Sequence, residues 1–508
     1  MAIINFQIHA MKKRWFSFFV PLLLFLSFAV CMAFVQFASP DLPDNDGYYH
    51  IKMAYIMRTE GVKPKFPWLP LTILNEAEFY DHHFLFHIAL IPFTFGDLRL
   101  GAKWAAVIFA SLAFLSIWYL FYRQHIPLAW LWALALLAIS EAFLYRMSIT
   151  RAQSLSLAIL VLGLTWMLEG KYLRLAGLAF IYVWLYDAFP LLPAMAGLYL
   201  ISSILTENRF EYRPFLFIAA GTALGMLINP YFPDNLTFTW RHIAPKLTHA
   251  TSVSVGNEWY PYDTGQLLKN SFPALFAFCS GVLALGLAGR KMNVQTGTTL
   301  LAAFLFGLML FQARRFVEYF PPFALIFAAF AWTPLLSDSD FVFLPALKLP
   351  LAGNTQHQVL LLSLASAILL TLPSTLTATQ SHIRDSKPFN LYEGAAEWLA
   401  NHTQAGERVF QTDWDDFPRL FYFNTHNTYL VGLDPTYLQL YDKELYDLWV
   451  LITRGKVSRP SQFIANQFKA DYVQSDLKHN AFLRQAAQDD GLREVYRDDQ
   501  AVLFEVIR

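Results

Sequence analysis

The sequence predicts a multi-span α-helical membrane protein with large extracytoplasmic loops and a C-terminal extracytoplasmic α/β domain. Of its 508 residues, 56% are hydrophobic and only 15% are charged, whereas ordinary soluble proteins have about 25% charged residues. The apolar residues also form long uninterrupted runs, and a bilayer requires about 20 such residues per crossing. Charged residues are sparse between residues 100 and 380 and dense over 381–508. We therefore predict a transmembrane domain over 1–380 and a soluble domain over 381–508.

The N-terminal segment is interpreted as the first membrane helix. Basic residues 12–14 precede an apolar run that ends near Phe37. A cleaved signal peptide would have a shorter apolar region followed by small residues at a cleavage site. The run therefore predicts an uncleaved helix, and its basic flank places the N-terminus in the cytoplasm.

The hydropathy pattern predicts about eleven spans, give or take one or two. They lie near residues 15–36, 101–122, 127–145, 152–169, 173–187, 190–205, 214–230, 267–289, 296–312, 316–336 and 356–377. Basic residues then fall in the cytoplasmic turns, as the positive-inside rule expects; they are Arg123, Lys171, Arg174, Arg209, Arg213, Arg290, Lys291 and Lys348. The first loop (38–100), the second loop (231–266) and the C-terminal domain are then all outside. Together with the lack of targeting signals, this favours a bacterial inner membrane and a periplasmic C-terminal domain.

The C-terminal domain alternates helical stretches with short β-rich runs. Helices are predicted over 392–401 and 460–468, and strands over 408–412, 428–433, 472–474 and 501–506. This alternation predicts a small α/β domain. The formal net charge of the whole chain is zero, so composition gives no support for nucleic acid as a partner.

The first loop opens with an acidic cluster that is a candidate catalytic motif. Asp41, Asp44 and Asp46 lie within six residues, directly after the first span, where carboxylates are costly without a cation or proton partner. In an extended chain Asp44 and Asp46 would project to one side, about 6.5–7 Å apart. Such a pair suits a divalent cation such as Mg²⁺ or Mn²⁺, or one member acts as a base. The alternative is a solvated, turn-rich loop.

A histidine-rich segment follows in the same loop. Its candidate residues are Asp81, His82, His83 and His87, and His83 and His87 stand one helical turn apart, a spacing that can bind a metal. The glutamate that would make a zinc-protease pattern informative is missing. Hydrogen bonding to a ligand phosphate or sugar, or a purely structural role, are the alternatives. The apolar stretch 83–95 is too short to cross a bilayer and predicts a re-entrant or interfacial helix.

Arg314 and Arg315 lie on the outer side at the junction of two spans, against the positive-inside bias. Arginine at this depth is costly unless it meets an anion, and its fork-shaped guanidinium group suits phosphate. Pairing with Glu318, or reaching towards lipid headgroups, are the alternatives. In the second loop, Glu258 is a lone acid among aromatic residues.

In the tail, Trp414 and Asp415 belong to an acidic run over 413–417. A tryptophan beside several carboxylates is a plausible sugar- or peptide-contacting surface, and it fits a well-packed turn equally well.

These patches, in this order, resemble the GT-C superfamily of membrane glycosyltransferases, and most of all the catalytic subunit of oligosaccharyltransferase. Residues 44–50 (DNDGYYH) resemble the family's first acidic motif, and Asp46 matches its catalytic aspartate. Residues 252–261 are similar to the loop in which a glutamate, here Glu258, helps to bind acceptor and metal. Arg315 with Tyr319 looks like the donor-phosphate-binding segment.

Two departures from the family pattern change what the resemblance implies. The second acidic motif is replaced by residues 144–153, which hold no carboxylate but include Arg146 and Arg151. The Trp-Trp-Asp-Tyr-Gly sequence that reads the acceptor sequon corresponds to residues 413–417, which read DWDDF. Both departures weaken the case for asparagine-linked protein glycosylation, and the first weakens the case for a metal.

The resemblance implies an inverting glycosyltransferase that moves a sugar or oligosaccharide from a polyprenyl-phosphate or polyprenyl-pyrophosphate donor to a glycan, lipid or protein acceptor. Asp46, with Asp44, would activate the acceptor. The donor phosphate would meet Arg315, Arg314, Arg151 and Tyr319. Glu258, Trp414 and Asp415 would seat the acceptor, and Asp46 with Glu258 would hold any divalent cation. His50, Asp81, His82 and His83 are further candidates.

A transporter or flippase of a lipid-linked or anionic saccharide, and an inactive scaffold of glycosyltransferase ancestry, are the alternative functions. A transporter would place paired charges within its spans near the midplane. The enzyme hypothesis expects Asp46 and Arg315 to converge on one lipid headgroup.

Overall fold

A computed structural model describes residues 2–247, 256–337 and 353–508. Lys348 and the part of the predicted acceptor loop at 252–255 lie outside these residues. The helices before the tail, in chain order, are α1 Ala2–Gln36, α2 Asp46–Glu60, α3 Phe84–Leu90, α4 Leu98–Arg123, α5 Ala129–Leu134, α6 Glu141–Met147, α7 Gln153–Leu168, α8 Tyr172–Leu185, α9 Leu191–Glu207, α10 Arg213–Leu227, α11 Asp234–Leu247, α12 Thr264–Ala288, α13 Val294–Gln312, α14 Phe320–Ser337 and α15 Gly353–Arg384. Short 3₁₀ helices occur at Ile91–Thr94, Ala135–Ala138, Asn257–Trp259 and Arg314–Glu318.

Among the described residues, five helices are long and apolar enough to cross a membrane. They are the Phe19–Gln36 part of α1, α4, α12, α13 and the Leu361–Arg384 part of α15. A sixth candidate is the pair Ala129–Ala138 and Glu141–Met147, which bends by 92°. Every segment predicted as a span contains helix, although 127–145 is a pair of helices and not one straight span, so the predicted helical architecture is confirmed. The count of about eleven crossings stays a prediction, since α7, α8, α9, α10 and α14 are shorter apolar helices.

The chain forms two compact units. The first comprises Met1–Ser39, Lys103–Gly225 and Glu258–Asp385. Polar side chains begin several of its helices: Asp263 accepts a hydrogen bond from the Gln266 amide at 2.9 Å, and Asn293 accepts one from the Thr296 amide at 2.9 Å. Such caps satisfy amides that have no partner within the helix.

A buried lysine and a glycine illustrate the close packing of the first unit. Lys103 is fully buried, and its Nζ donates to the carbonyl oxygen of Gln36 at 2.9 Å, where α1 ends. At Gly221 a Cβ atom would lie 2.1 Å from the carbonyl oxygen of Ala176. Helices α8 and α10 therefore approach each other as closely as only a small residue permits.

The second unit comprises Pro40–Ala102, Met226–Asn257 and Ser386–Arg508. Its tail contains α16 Glu393–His402, β1 Arg408–Gln411, a 3₁₀ helix Trp414–Asp416, α17 Phe417–Phe423, β2 Thr428–Tyr429, α18 Thr436–Tyr441, α19 Lys443–Thr453, α20 Pro460–Asn466, β3 Tyr472–Asp476, α21 Asn480–Ala486, β4 Leu492–Arg497 and β5 Ala501–Val506. The sheet has the order β2-β1-β3-β5-β4. Strand β1 runs parallel to β2 and β3, whereas β5 is antiparallel to both β3 and β4.

The α/β architecture predicted for the tail is confirmed. Inward-facing residues of the sheet, such as Phe410 and Val473, pack with Leu438, Trp449 and Ile464 from the helices into one buried core. Each predicted strand has a counterpart, but β4 was missed. Its sequence is rich in charged residues and its side chains are largely exposed, as expected at a sheet edge, so it lacks the hydrophobic alternation that predicts a strand.

The expectation of an extended chain around Asp44 and Asp46 is wrong. Asn45 has helical dihedral angles, with φ −66° and ψ −40°, and α2 begins at Asp46. A carboxylate is favourable in the first turn of a helix because the helix dipole is positive there. The predicted helix over 83–95 is confirmed by α3 and the 3₁₀ turn Ile91–Thr94.

Candidate functional site

Three arginines of the first unit share one carboxylate. Glu258 lies 2.9 Å from Arg146, 3.3 Å from Arg151 and 3.6 Å from Arg315, measured between carboxylate oxygens and guanidinium nitrogens. Arg146 also binds Glu318 through Nε at 2.7 Å. We call Arg146, Arg151 and Arg315, together with Glu258, the arginine cluster. Separate elements supply it, namely α6, the segment before α7, the 3₁₀ turn Asn257–Trp259 and the 3₁₀ turn Arg314–Glu318.

Arg315 is held by contacts of three different kinds. Its Nη2 donates to the Tyr186 hydroxyl at 3.0 Å, and its Cζ lies 4.3 Å from the ring centroid of Trp259. The third contact is the ion pair with Glu258. A guanidinium group over an indole ring gains cation–π energy, so Arg315 is oriented before any ligand arrives.

Glu258 is ionised at neutral pH because of its neighbours. Burial alone would raise the pKa of Glu258, but the positive charges of the three arginines outweigh it and hold that pKa well below its ordinary value. The side chain is 28% exposed, so the carboxylate that joins the arginines is reachable from solvent. The cluster therefore joins three positive groups through one partly exposed carboxylate.

Two of the residues predicted to bind phosphate have other partners. Arg314 donates from Nε to the carbonyl oxygen of Pro261 at 3.1 Å and lies over the Tyr262 ring. The Tyr319 hydroxyl is buried and bonds to Ser156 at 2.8 Å. Arg151 and Arg315 belong to the arginine cluster, whereas Arg314 and Tyr319 make contacts outside it.

In the second unit, the acidic motif of the first loop is tied to the tail through Asn45. Asn45 Nδ2 donates to Asp415 Oδ2 at 2.6 Å and to the Asp415 carbonyl oxygen at 3.1 Å. Asn45 Oδ1 accepts a hydrogen bond from Arg419 Nε at 2.8 Å. Asn45 immediately precedes Asp46, the first residue of α2, and Asp44 and Asp46 are both partly exposed. The tail therefore fixes the backbone from which the candidate catalytic aspartate projects.

Arg419 is almost completely buried in this connection. Only 1% of it is exposed, and its Nη1 donates to the Tyr48 hydroxyl at 2.9 Å and to the Pro388 carbonyl oxygen at 2.7 Å. Its Cζ also lies 4.3 Å from the Tyr48 ring centroid. Sequence reasoning missed Arg419, although a single arginine within the otherwise apolar and aromatic α17 is a detectable signal.

The residues of the acidic run 413–417 in the tail have different surroundings. Trp414 lies beside Gly256, where a Cβ atom would approach the indole ring to 3.9 Å. Asp416 is buried, and burial, together with the negative charges of Asp413 and Asp476, raises its pKa well above the ordinary value. Burial and these charges thus favour the protonated form of Asp416, whereas Asp415 accepts a hydrogen bond from Asn45.

A chain of hydrogen bonds links the histidine-rich segment to α2. Asp81 Oδ2 lies 2.7 Å from His87 Nδ1, and His87 Nε2 lies 2.8 Å from His50 Nδ1. The other two histidines lie beside it: the His83 ring centroid is 4.8 Å from that of His50, and His82 stacks on Phe238 at 5.0 Å.

The donor groups present do not suit a cation at Glu258. Three guanidinium groups already surround that carboxylate, and they repel a further positive charge. Across the residues that the structure describes, no group of three or more His, Cys, Asp and Glu side chains could hold a metal ion. The predicted cation at Asp46 and Asp44 stays a prediction.

Comparison with solved structures identifies the architecture. The oligosaccharyltransferase of Archaeoglobus fulgidus matches with a TM-score of 0.69 at 13% identity, over 97% of this chain and 75% of that one. The chain has the GT-C glycosyltransferase fold. ArnT from Cupriavidus metallidurans, bound to undecaprenyl phosphate, matches this chain with a TM-score of 0.57 at 15% identity, over 95% and 97% of the two chains. Mycobacterial arabinofuranosyltransferase AftD matches at 0.56 and 15%, over 95% of this chain and 40% of its own. No protein-family model and no curated protein sequence matches the sequence.

Proposed function

We propose that this GT-C protein is an inverting glycosyltransferase that takes its sugar from a polyprenyl-phosphate or polyprenyl-pyrophosphate donor. The observation that carries the proposal is the arginine cluster, in which three guanidinium groups share one solvent-reachable carboxylate. Two of the proteins with the same fold bind polyprenyl phosphates: the archaeal oligosaccharyltransferase was solved with dolichol-phosphate and ArnT with undecaprenyl phosphate. An anion site on this fold is therefore best explained as a donor-phosphate site.

The arginine cluster would stabilise the departing lipid phosphate. Negative charge grows on the phosphate oxygen as the bond to the sugar breaks, and preorganised guanidinium groups stabilise that charge in the transition state. Arg315 is the principal group, because Trp259 and Tyr186 already fix its orientation. The Glu258 carboxylate must give way when phosphate enters, so donor binding exchanges one anion for another.

Asp46 would accept the proton of the acceptor nucleophile, or orient that nucleophile for attack. It is partly exposed at the start of α2, and the Asn45–Arg419 contact fixes the preceding residue. Attack of the nucleophile on the anomeric carbon from the side opposite the phosphate inverts the configuration at that carbon. No step in this scheme passes through a metal ion.

The acceptor would be seated by Trp414 and the partly exposed Asp415 in the tail. Asp415 already accepts hydrogen bonds from Asn45, and Asp416 is buried, so these carboxylates are poorly placed to read a peptide sequon. This favours a glycan or lipid acceptor over asparagine in a protein.

The proposed topology places the N-terminus in the cytoplasm and the tail outside, with about eleven crossings of a bacterial inner membrane. Single cysteines at Lys171 and at exposed Asp490 would be labelled in cells by a membrane-impermeant maleimide, in a background with Cys31 and Cys279 replaced. Labelling at residue 490 alone supports the topology, and labelling at residue 171 contradicts it.

The direct test is donor binding by the purified full-length protein in nanodiscs. Undecaprenyl phosphate should bind at least about tenfold more tightly than undecaprenol, a difference of about 1.4 kcal/mol. Arg315→Gln should abolish that difference. Arg314→Gln is the matched control, because the adjacent Arg314 binds Pro261 instead of Glu258.

An activity assay distinguishes a glycosyltransferase from a flippase and from an inactive scaffold. With a radiolabelled polyprenyl-phosphate sugar and membrane extract as acceptor source, the wild type should release polyprenyl phosphate and Asp46→Asn should not. Equal release by both proteins would contradict the proposed role of Asp46. Movement of the labelled lipid across the vesicle membrane without release would identify a flippase.

A further inference from the structure

The buried row of hydrogen-bonded side chains from Asp81 through His87 to His50 takes no part in the glycosyl transfer proposed so far. His87 is fully buried, Asp81 is 2% exposed and His50 is 3% exposed. Two imidazole rings and a carboxyl group lined up in this way are costly to bury unless their polar atoms have partners. The chain also leads from the interior of the second unit to the helix that carries Asp46.

The direction of the hydrogen bonds follows from Asp81. Its Oδ1 accepts from the His83 amide at 3.0 Å, and its Oδ2 lies 2.7 Å from His87 Nδ1. An ionised carboxylate can only accept, so His87 carries its proton on Nδ1. In neutral His87 the Nε2 atom then accepts, and His50 must donate from Nδ1 across the 2.8 Å contact. The remaining nitrogen of neutral His50, Nε2, carries a lone pair.

His50 follows Asp46 by four residues on α2. Residues with this spacing lie on the same face of a helix, with Cβ atoms about 5–6 Å apart. Asp46 is partly exposed whereas His50 is buried, so the aspartate can meet a group that arrives from solvent and the histidine lies in the interior. A proton on a carboxyl group, with an ordinary pKa of about 4, passes favourably to an imidazole with an ordinary pKa of about 6.5.

We propose, as an extension that rests on the proposed glycosyl transfer, that His50 receives the proton which Asp46 takes from the acceptor. His87 and Asp81 are positioning residues, which hold His50 in the tautomer that can accept this proton. The acceptor oxygen forms a bond to the anomeric carbon while its proton moves to Asp46. The bond from that carbon to the phosphate oxygen breaks, and its electron pair leaves on the phosphate. The proton then passes from Asp46 to His50 Nε2, which restores the carboxylate.

Titratable groups near His50 come from α2 itself, where the Tyr49 ring centroid is 5.3 Å from that of His50, and from two of the elements that pack on α2. On its own helix there is Asp46, and from α3 and the segment before it come His83, His87 and Asp81. From α17, Arg419 contacts α2 at Tyr48. The 3₁₀ turn Ile91–Thr94 contributes no titratable side chain.

The tautomers can be tested without any activity assay. In nanodiscs, ¹⁵N-histidine NMR of the full-length protein, assigned with His50→Gln and His87→Gln, should show His87 and His50 each protonated at Nδ1. Asp81→Asn should change the His87 signal. Protonation of His87 at Nε2 in the wild type would overturn the relay whether or not the protein transfers sugar.

The proton role is tested by turnover. We expect His50→Gln to lower kcat at least about tenfold with little change in KM, since proton-transfer groups contribute factors of about 10²–10⁴. In Asp81→Asn the acidic limb of the kcat–pH profile should move to lower pH, because the protonated relay loses its counter-charge. A purely structural role would reduce the amplitude and leave the limb in place.

His402→Gln is the control, because the exposed His402 bonds to the Trp398 carbonyl oxygen at 2.8 Å and lies outside the hydrogen-bonded chain. It should leave the pH profile unchanged. If the wild type shows the expected tautomers and releases no polyprenyl phosphate from any donor, the glycosyl-transfer proposal fails, and the proton role of His50 fails with it. If transfer occurs and His50→Gln is as active as the wild type, only the proton role fails.

Discussion

Arg419 donates a hydrogen bond from Nε to Asn45 Oδ1 at 2.8 Å, although 374 positions separate the two residues. The arginine comes from α17 in the tail, and the asparagine immediately precedes Asp46 at the start of α2. The contact is buried, so water cannot replace either partner. The tail is therefore part of the structure that positions the candidate catalytic aspartate.

Replacing Arg419 should destabilise the second unit. Arg419→Met keeps most of the volume but leaves buried acceptors on Asn45 and Pro388 without their donor. Each such orphaned group costs about 1–3 kcal/mol, so we expect a loss of about 2–6 kcal/mol and a clearly lower unfolding temperature by differential scanning fluorimetry. Arg493→Met is the control, because Arg493 is 64% exposed in its pair with Glu505. Equal melting of both variants would contradict a structural role for Arg419.

The sequence predicts those parts of the protein that depend on local pattern. Apolar runs predict the positions of the apolar helices, and β-rich runs predict four of the five strands of the described sheet. Helix α2 was missed because its buried residues lie on several faces, among them Tyr48, Tyr49 and Ile51, so no amphipathic period is visible. The Asn45–Arg419 contact joins distant segments, and nothing local to either residue signals its partner.

The arginine cluster was predicted from the sequence only in part. An unfavourably placed Arg315 predicted an anion partner from the cost of burying its charge. The sequence offered Glu318 as the intramolecular partner, but Glu318 binds Arg146, and Arg315 pairs with Glu258 from another loop. The sequence alone indicates that Arg315 needs a negatively charged partner. Which carboxylate becomes that partner depends on the three-dimensional fold.

Glu258→Gln should tighten phosphate binding. The variant removes the anion that competes for the three arginines while keeping the size of the side chain. We expect undecaprenyl phosphate to bind about three- to tenfold more tightly, equivalent to about 0.7–1.4 kcal/mol, in nanodisc binding measurements. Glu76→Gln is the control, because Glu76 forms an exposed pair with Lys65 outside the cluster. Weaker binding by Glu258→Gln would show that Glu258 assists the donor instead of competing with it.

Asp416 predicts a specific pH dependence of stability. Its folded-state pKa lies well above the ordinary value because of burial and neighbouring carboxylates, so the folded protein keeps a proton that the unfolded chain releases above about pH 4. Stability is therefore lost as pH rises from that value to the folded-state pKa. Asp416→Asn should remove the loss and melt at a higher temperature than the wild type at pH 7–8, with the difference vanishing near pH 4. The exposed Asp490→Asn should show no such difference, and a lower melting temperature for Asp416→Asn at pH 8 would refute the argument.

The approach of α8 and α10 can be tested by adding a single methyl group. Alanine in place of glycine usually stabilises a helix by up to about 1 kcal/mol, and Gly286→Ala in α12 should do so, because nothing lies within 4 Å of its new Cβ. Gly221→Ala should do the reverse, since its Cβ would stand 2.1 Å from the Ala176 carbonyl oxygen and the two helices would have to separate. We expect a loss of about 2–4 kcal/mol, seen as a lower melting temperature in detergent. A neutral or stabilising effect of Gly221→Ala would mean that the two helices are not packed this closely. The reason is that Gly→Ala stabilises a helix where the new methyl group has room and destabilises it where the methyl group meets neighbouring atoms.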